Sequence, residues 1–154
     1  MASIRGRFNF QEFKKLQQQL NKLDDSNDFV ESCAKELAAR LLRKVIKRTP
    51  VGQYPEKSGK TGGTLRRGWT GEKRASAEGF ANDMDINYVD GKYIINIINP
   101  IEYASYVEYG HRTANHKGWV KGQFMMTISE QELQNIAPAI LEKKIKKYFN
   151  GCFK

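Results

Sequence analysis

From Phe29 to Arg48 the apolar residues Phe29, Val30, Cys33, Leu37, Leu41 and Val45, flanked by Ala34, Ala38, Leu42 and Ile46, fall on one broad helical stripe. At 1.5 Å per residue this is a rod roughly 30 Å long. It is the strongest element of the chain. Asp24, Asp25 and Asp28 precede or open it, where acids favour the amino end of a helix. Thr49-Pro50 ends it, because the residue before a proline is pushed out of the helical region.

Other elements follow from the same kind of pattern. Asn9-Phe10-Gln11-Glu12 reads as a capping box, and Phe10, Phe13, Leu16, Leu20 and Leu23 make one apolar face of an earlier helix. Residues 51–63 are rich in Pro, Gly and Lys without periodicity, which predicts a mobile loop. Thr64–Ala75 admits either helix or strand, with Leu65 and Trp69 one helical turn apart and a short strand expected after them. Asp90-Gly91 between β-rich runs predicts a hairpin with a type I′ turn. The second arm, Tyr93 to Ile98, is apolar on both faces and reads as a covered central strand ended by Pro100. Glu102–Tyr109 is a short helix candidate, and 110–122 reads as polar and irregular. Ser129-Glu130-Gln131-Glu132 reads as a second capping box opening the last helix, whose stripe persists through Pro138 and so implies a kink or two abutting helices.

Together these predict an α+β fold in a single domain, 1–154. It comprises two N-terminal helices, a small antiparallel sheet with an Asp-Gly hairpin, and a kinked C-terminal helix packed on the sheet. Hydrophobic residues make up 40 % of the chain, enough for a real core. No stretch approaches the roughly 18–20 apolar residues that span a bilayer, and the amino terminus has no apolar run that could serve as a signal peptide, so no membrane role and a cytoplasmic site of synthesis are expected. Cys33 on the helix stripe and Cys152 near the end suit neither a disulfide framework nor a metal site, and both are expected as free thiols.

All of the net charge of +9 lies between residues 40 and 74. That window holds Arg40, Arg43, Lys44, Lys47, Arg48, Lys57, Lys60, Arg66, Arg67, Lys73 and Arg74 against Glu56 and Glu72, while bases and acids cancel elsewhere. Such segregation creates a local field and points to a polyanionic or acidic partner. The plainer alternative is a solvated helix face followed by a solvated loop. Part of the charge also has a local cause, since bases in the last turns complement the carbonyl end of the helix dipole.

Catalytic constellations are scarce. Gly59-Lys60-Thr61 lacks the earlier glycine of a phosphate loop, that position being Tyr54. His111 and His116 lie in a loop without a third soft ligand, so neither a metal nor a cofactor is expected. Glu102 and Glu108 fall on different sides of a short helix. An enzyme is therefore not expected, and Glu108 and His111 are the only candidates for one. Arg66-Arg67 beside Trp69 suits phosphate contact with stacking, but no nucleic-acid fold signature accompanies it, and Trp69 reads better as packed under the loop.

Several segments in order carry a resemblance: the helix from Ala38 to Thr49-Pro50-Val51; Gly63-Thr64-Leu65-Arg66-Arg67-Gly68-Trp69; the Asp-Gly hairpin; Asn99-Pro100 through Tyr103-Ala104-Ser105-Tyr106-Val107-Glu108-Tyr109-Gly110-His111-Arg112; and Gly122-Gln123-Phe124-Met125-Met126. From about Phe10 to Phe149 the chain resembles the tail-completion, or neck, proteins of long-tailed bacteriophages, the gene-product-ten-like minor structural proteins of lambdoid phages and prophages. The resemblance implies a non-enzymatic virion protein, assembled in the host cytoplasm as a homo-oligomeric ring between the head-side connector and the tail tube or its terminator. It makes Trp69, Tyr103, Tyr106, Glu108, Gly110, His111 and Arg112 structural motif residues. Glu108 and Arg112, which at four-residue spacing can pair on one helix face, are expected to make structural hydrogen bonds or ion pairs that fix the loop after the short helix. The basic band would meet DNA passing through the lumen, or acidic neighbours. The alternative is a sequence-independent nucleic-acid-binding protein.

Overall fold

The computed structural model describes residues 18, 26–71 and 76–152. The expected first helix with its Asn9 cap lies outside these residues except for Gln18, as do Lys73 and Arg74. The elements in order are α1 (Ser26–Arg48), a 3-10 turn (Glu56–Ser58), α2 (Thr64–Gly68), α3 (Ala77–Asn82), β1 (Asn87–Val89), β2 (Lys92–Ile94), α4 (Ala104–Tyr109), β3 (Gly110–Arg112), β4 (Trp119–Lys121) and α5 (Met125–Cys152). The fold is α+β, with two separate two-stranded antiparallel sheets, β1–β2 and β3–β4.

The stripe of α1 is the spine. Leu42 and Val45 are fully buried, and Ala38 and Ala39 bring neighbouring elements close. Around them gather Leu65, Trp69, Ala77, Ala81 and Met125, with Ile95, Ile97, Ile101 and Val107 packed against the cluster. Each fully buried large apolar side chain contributes about 1.5–3 kcal/mol. Beyond Arg48 the chain turns out of the helix as expected. The Thr49 amide and hydroxyl both donate to Val45 O, at 2.9 and 2.7 Å, and Pro50 follows.

The Asp-Gly turn is as the sequence predicts, with positive φ at both Asp90 (50°) and Gly91 (75°). The arm after it is not a central strand. Only Lys92–Ile94 pairs, and only with β1; then Ile95 and Ile97 turn alternately onto the core while Ile98 is 71 % exposed. The apolar run reads as doubly covered because the chain leaves the ladder partway along it. Thr64–Gly68 resolves as helix, and a further short helix, α3, stands at 77–82. Residues 110–121, expected to be irregular, form the β3–β4 hairpin. Strands of three residues are too short to leave a periodic signal.

The last helix also departs from expectation. It begins at Met125, four residues before Ser129, and continues as one helix across Pro138. Ser129 is fully buried and its hydroxyl donates to Met125 O at 2.6 Å, so it is an interior residue, not a cap. Nor does α5 pack on a sheet. It lies antiparallel along α1, joined by Arg48 to Glu132 near one end and by stacking of Phe29 on Tyr148, with ring centroids 4.2 Å apart, near the other. Three-residue strands offer no apolar face long enough for such a helix, whereas the stripe of α1 does.

Candidate polyanion-binding face

The bases of α1 recur at steps of three and four. At about 100° per residue, Arg40, Arg43, Lys44, Lys47 and Arg48 share an arc of about 140° on one side of the helix. They are tied into the structure. Arg40 Nη2 meets Glu36 Oε1 at 2.9 Å, and Arg43 Nε reaches across to Glu78 Oε1 of α3 at 3.0 Å. Lys44 Nζ and Arg48 Nη2 converge on the Glu132 carboxylate of α5, at 2.8 and 2.6 Å. The other Arg48 nitrogen donates to Ser129 Oγ at 2.8 Å. Hydrogen bonds from Lys44 and then Arg48 hold the Glu132 carboxyl below its ordinary range. Those from Lys144 and then Arg40 do the same for Glu36. Lys47 is exposed and pairs with no acid among the described residues.

Pairing does not cancel the field. Along the seam of α1 and α5 run two open grooves. One, of about 500 Å³, is lined by Arg40, Lys143, Lys144 and Lys147 with Glu36, four bases against one acid. The other, of about 470 Å³, is lined by Arg43, Lys44, Lys47 and Arg48 with Glu132, four bases against one lining acid, Arg43 being paired besides with Glu78 outside the groove. Like charges held around a concave surface with low-dielectric walls focus the potential outward. The face can attract phosphate oxygens without reading bases.

Lys143, Lys144 and Lys147 were not singled out by the sequence reasoning, because in a window count of net charge they cancel against acids elsewhere. The available signal was Lys143-Lys144 and Lys146-Lys147 at helical spacing on the element that covers the basic helix.

The loop bases divide. Lys57 is exposed, and Lys60 Nζ lies 5.9 Å from the centroid of the Tyr54 ring. Arg66 clamps the end of α1, with Nε and Nη2 donating to Thr49 O at 3.1 and 2.7 Å. Arg67 donates to Gly62 O at 3.2 Å. These two guanidiniums hold the loop in place beside whatever charge they lend.

The motif residues have structural settings. Trp69 is buried, and its indole N–H donates to Thr49 Oγ1 at 2.8 Å. Tyr103, just before α4, and Tyr106, on it, lie exposed. Gly110 has φ +86°, and a Cβ there would stand 2.4 Å from Val120 O, so only glycine makes this entry into β3. His111 sits on β3 and not in a solvated loop, its ring edge-on to Tyr106 at 5.8 Å, while His116 is in the following turn. Glu108 is buried and accepts from Met126 N, Thr127 N and Thr127 Oγ1. The expected Glu108–Arg112 pair does not form: α4 stops at Tyr109, Gly110 turns the chain, and Arg112 stands opposite Trp119 in the ladder.

Among the described residues no group of three or more His, Cys, Asp or Glu is placed to hold a metal ion. Cys33 is a free, buried thiol, pushed up in pKa chiefly by that burial; the Cys152 side chain lies outside the described residues. No described helix is long and apolar enough to cross a membrane.

A family model described as "Bacteriophage HK97-gp10, putative tail-component" matches residues 14–110, more than half of the chain and everything from before α1 to the start of β3. No curated protein and no solved structure matches the chain.

Proposed function

The chain belongs to the HK97-gp10-like family of phage tail components, and from that premise we propose that it is a non-enzymatic neck protein whose copies form a ring that completes the tail and joins it to the head-side connector. The observation that carries the finer reading is the seam of α1 and α5, where two adjoining grooves each carry four bases against one lining acid. Closed rings of identical subunits repeat such a face around an axis and sum its field. DNA in a lumen has to slide, which favours phosphate attraction that ignores sequence. The buried carboxylate of Glu108 is occupied as a helix anchor, which speaks for structure over catalysis. Light scattering of the purified chain, alone and with the neighbouring tail and connector proteins, tests this. A defined oligomer or co-assembly is expected; a chain that stays monomeric in every mixture overturns it.

The same grooves favour a second reading, sequence-independent binding of nucleic acid outside any particle. Here Lys47, Lys143 and Lys147 are the residues to replace, since Arg66 and Arg67 brace the fold. Binding should weaken steeply between about 50 and 200 mM salt, and three Lys→Ala changes should flatten that slope by roughly one unit for each phosphate no longer neutralised. A slope that three substitutions leave unchanged removes this reading.

A further inference from the structure

Among the described residues, two hairpin regions toward opposite ends of α1 carry exposed large apolar side chains. The first is the β1–β2 hairpin, where Tyr88, paired with the Tyr93 ring, is 65 % exposed and Val89, on the other face, 50 %. Tyr93 Oη donates to Asn27 Oδ1 at 2.7 Å and ties this hairpin to the start of α1. The second is α4 with the β3–β4 hairpin, where Tyr106 and Tyr109 of α4 are exposed, as are Val120 and, on the opposite face of β4, Trp119, the last to 62 %. Glu108 fastens it to the first turn of α5, and Ser129 one turn later meets Arg48 at the end of α1. Asn27 and Arg48 are about 30 Å apart at 1.5 Å per residue. Hairpins of three-residue strands are marginal by themselves, and exposed aromatic clusters of this kind mark contacts.

The charges around the two patches are opposite. Residues 83–94 hold Asp83, Asp85 and Asp90 against Lys92; around α4, β3 and β4, Arg112, Lys117 and Lys121 stand against the exposed Glu102, Glu108 being buried under α5. None of these eight exposed charges pairs with an opposite charge among the described residues. We propose that the two hairpins are the two halves of one head-to-tail contact: the acid-rimmed β1–β2 hairpin of one copy docks on the base-rimmed face of α4, β3 and β4 of the next. This rests on the ring reading and gives it a surface. A second copy is the occupant because each patch finds its complement, apolar centre and opposite rim, on the same chain. Pairing either patch with itself would set like charges together, which is disfavoured. A contact between two different surfaces leaves one half free at each end, so copies add until the arrangement closes. With the contacts toward opposite ends of α1, that helix spans from neighbour to neighbour and the basic seam recurs at every step.

Charge exchange in the full chain tests it. D83K/D85K and K117E/K121E, each checked by circular dichroism for an intact fold, are expected to lose the assembly expected of the wild type at about 50 mM salt, where rim charges act most strongly. The four-site variant, with the signs exchanged, is expected to regain it. Two-site variants that assemble like the wild type, or a four-site variant as defective as they are, overturn the docking and leave the ring standing. A wild type that never assembles removes the ring reading itself. Should the charge variants fold poorly, V89C/V120C in a C152S background provides a second readout with a short bis-maleimide. A ladder of cross-linked multimers is expected from it; single-cysteine chains that cross-link to dimers as efficiently would sink the head-to-tail arrangement.

Discussion

Glu108 Oε1 accepts both the amide of Thr127, at 2.9 Å, and its hydroxyl, at 2.7 Å. Oε2 takes the Met126 amide at 2.9 Å, so a buried carboxylate from α4 caps a helix 17 residues downstream whose preceding residue, Phe124, has no side-chain acceptor. The negative charge also sits at the positive end of the helix dipole. Glu108→Ala should lower stability by about 2–3 kcal/mol, through a lost cap and amides left unsatisfied. Glu108→Gln, which keeps one acceptor, should cost less. Denaturant melts of the two variants check the order; equal and negligible losses would contradict the anchoring role.

Trp69 and Thr49 join α2 to the end of α1 through one hydrogen bond between two buried side chains. Thr49→Val strands the indole N–H in the core and should cost about 1–3 kcal/mol. Trp69→Phe should also destabilise. Because both act on the same bond, the double variant should be more stable than the sum of the single losses predicts, and a double-mutant cycle measures the difference. Strict additivity would mean that the bond carries nothing.

Gly68 lies in a helix, where alanine would ordinarily gain about 1 kcal/mol. Here a Cβ would stand 2.3 Å from Asn99 Oδ1 and 2.6 Å from Ile101 Cγ1. Asn99 is held, its amide donating to Leu65 O at 2.9 Å. Gly68→Ala should therefore destabilise by about 1–3 kcal/mol, as overpacking does. A thermal melt with a raised midpoint would refute this.

Glu36 and Glu132 clip α1 to α5, and both carboxyls are held below their ordinary range by the cations they bind. A group whose pKa is lower in the folded chain stabilises it above the unfolded value, and that contribution is lost as pH falls through the folded value. Stability should thus be constant in neutral buffer and decline below the usual carboxylate range. The combined Glu36→Gln and Glu132→Gln variant should start lower and show a shallower acid decline. Urea midpoints between pH 3 and 7 would show whether the two curves converge at low pH as expected.

Local patterns in the chain determined α1, its stop at Thr49-Pro50, the Asp-Gly turn and the share of the core that α1 supplies. Each depends on residues within one or two turns, so periodicity and backbone preference suffice to read it. They also determined that bases crowd one side of α1. Contacts between distant segments decided the rest. Ser129 looked like a cap because it precedes a glutamate at the right spacing, but the true cap is Glu108, which no local window contains. The final helix chose α1 over a sheet because only α1 offered a matching apolar length, and that choice brought Lys143, Lys144 and Lys147 beside Arg40 to complete a basic seam that a linear charge count averages away. Helix starts and charge faces assembled from separate segments depend on which side chains arrive through space, and only the tertiary structure holds that information.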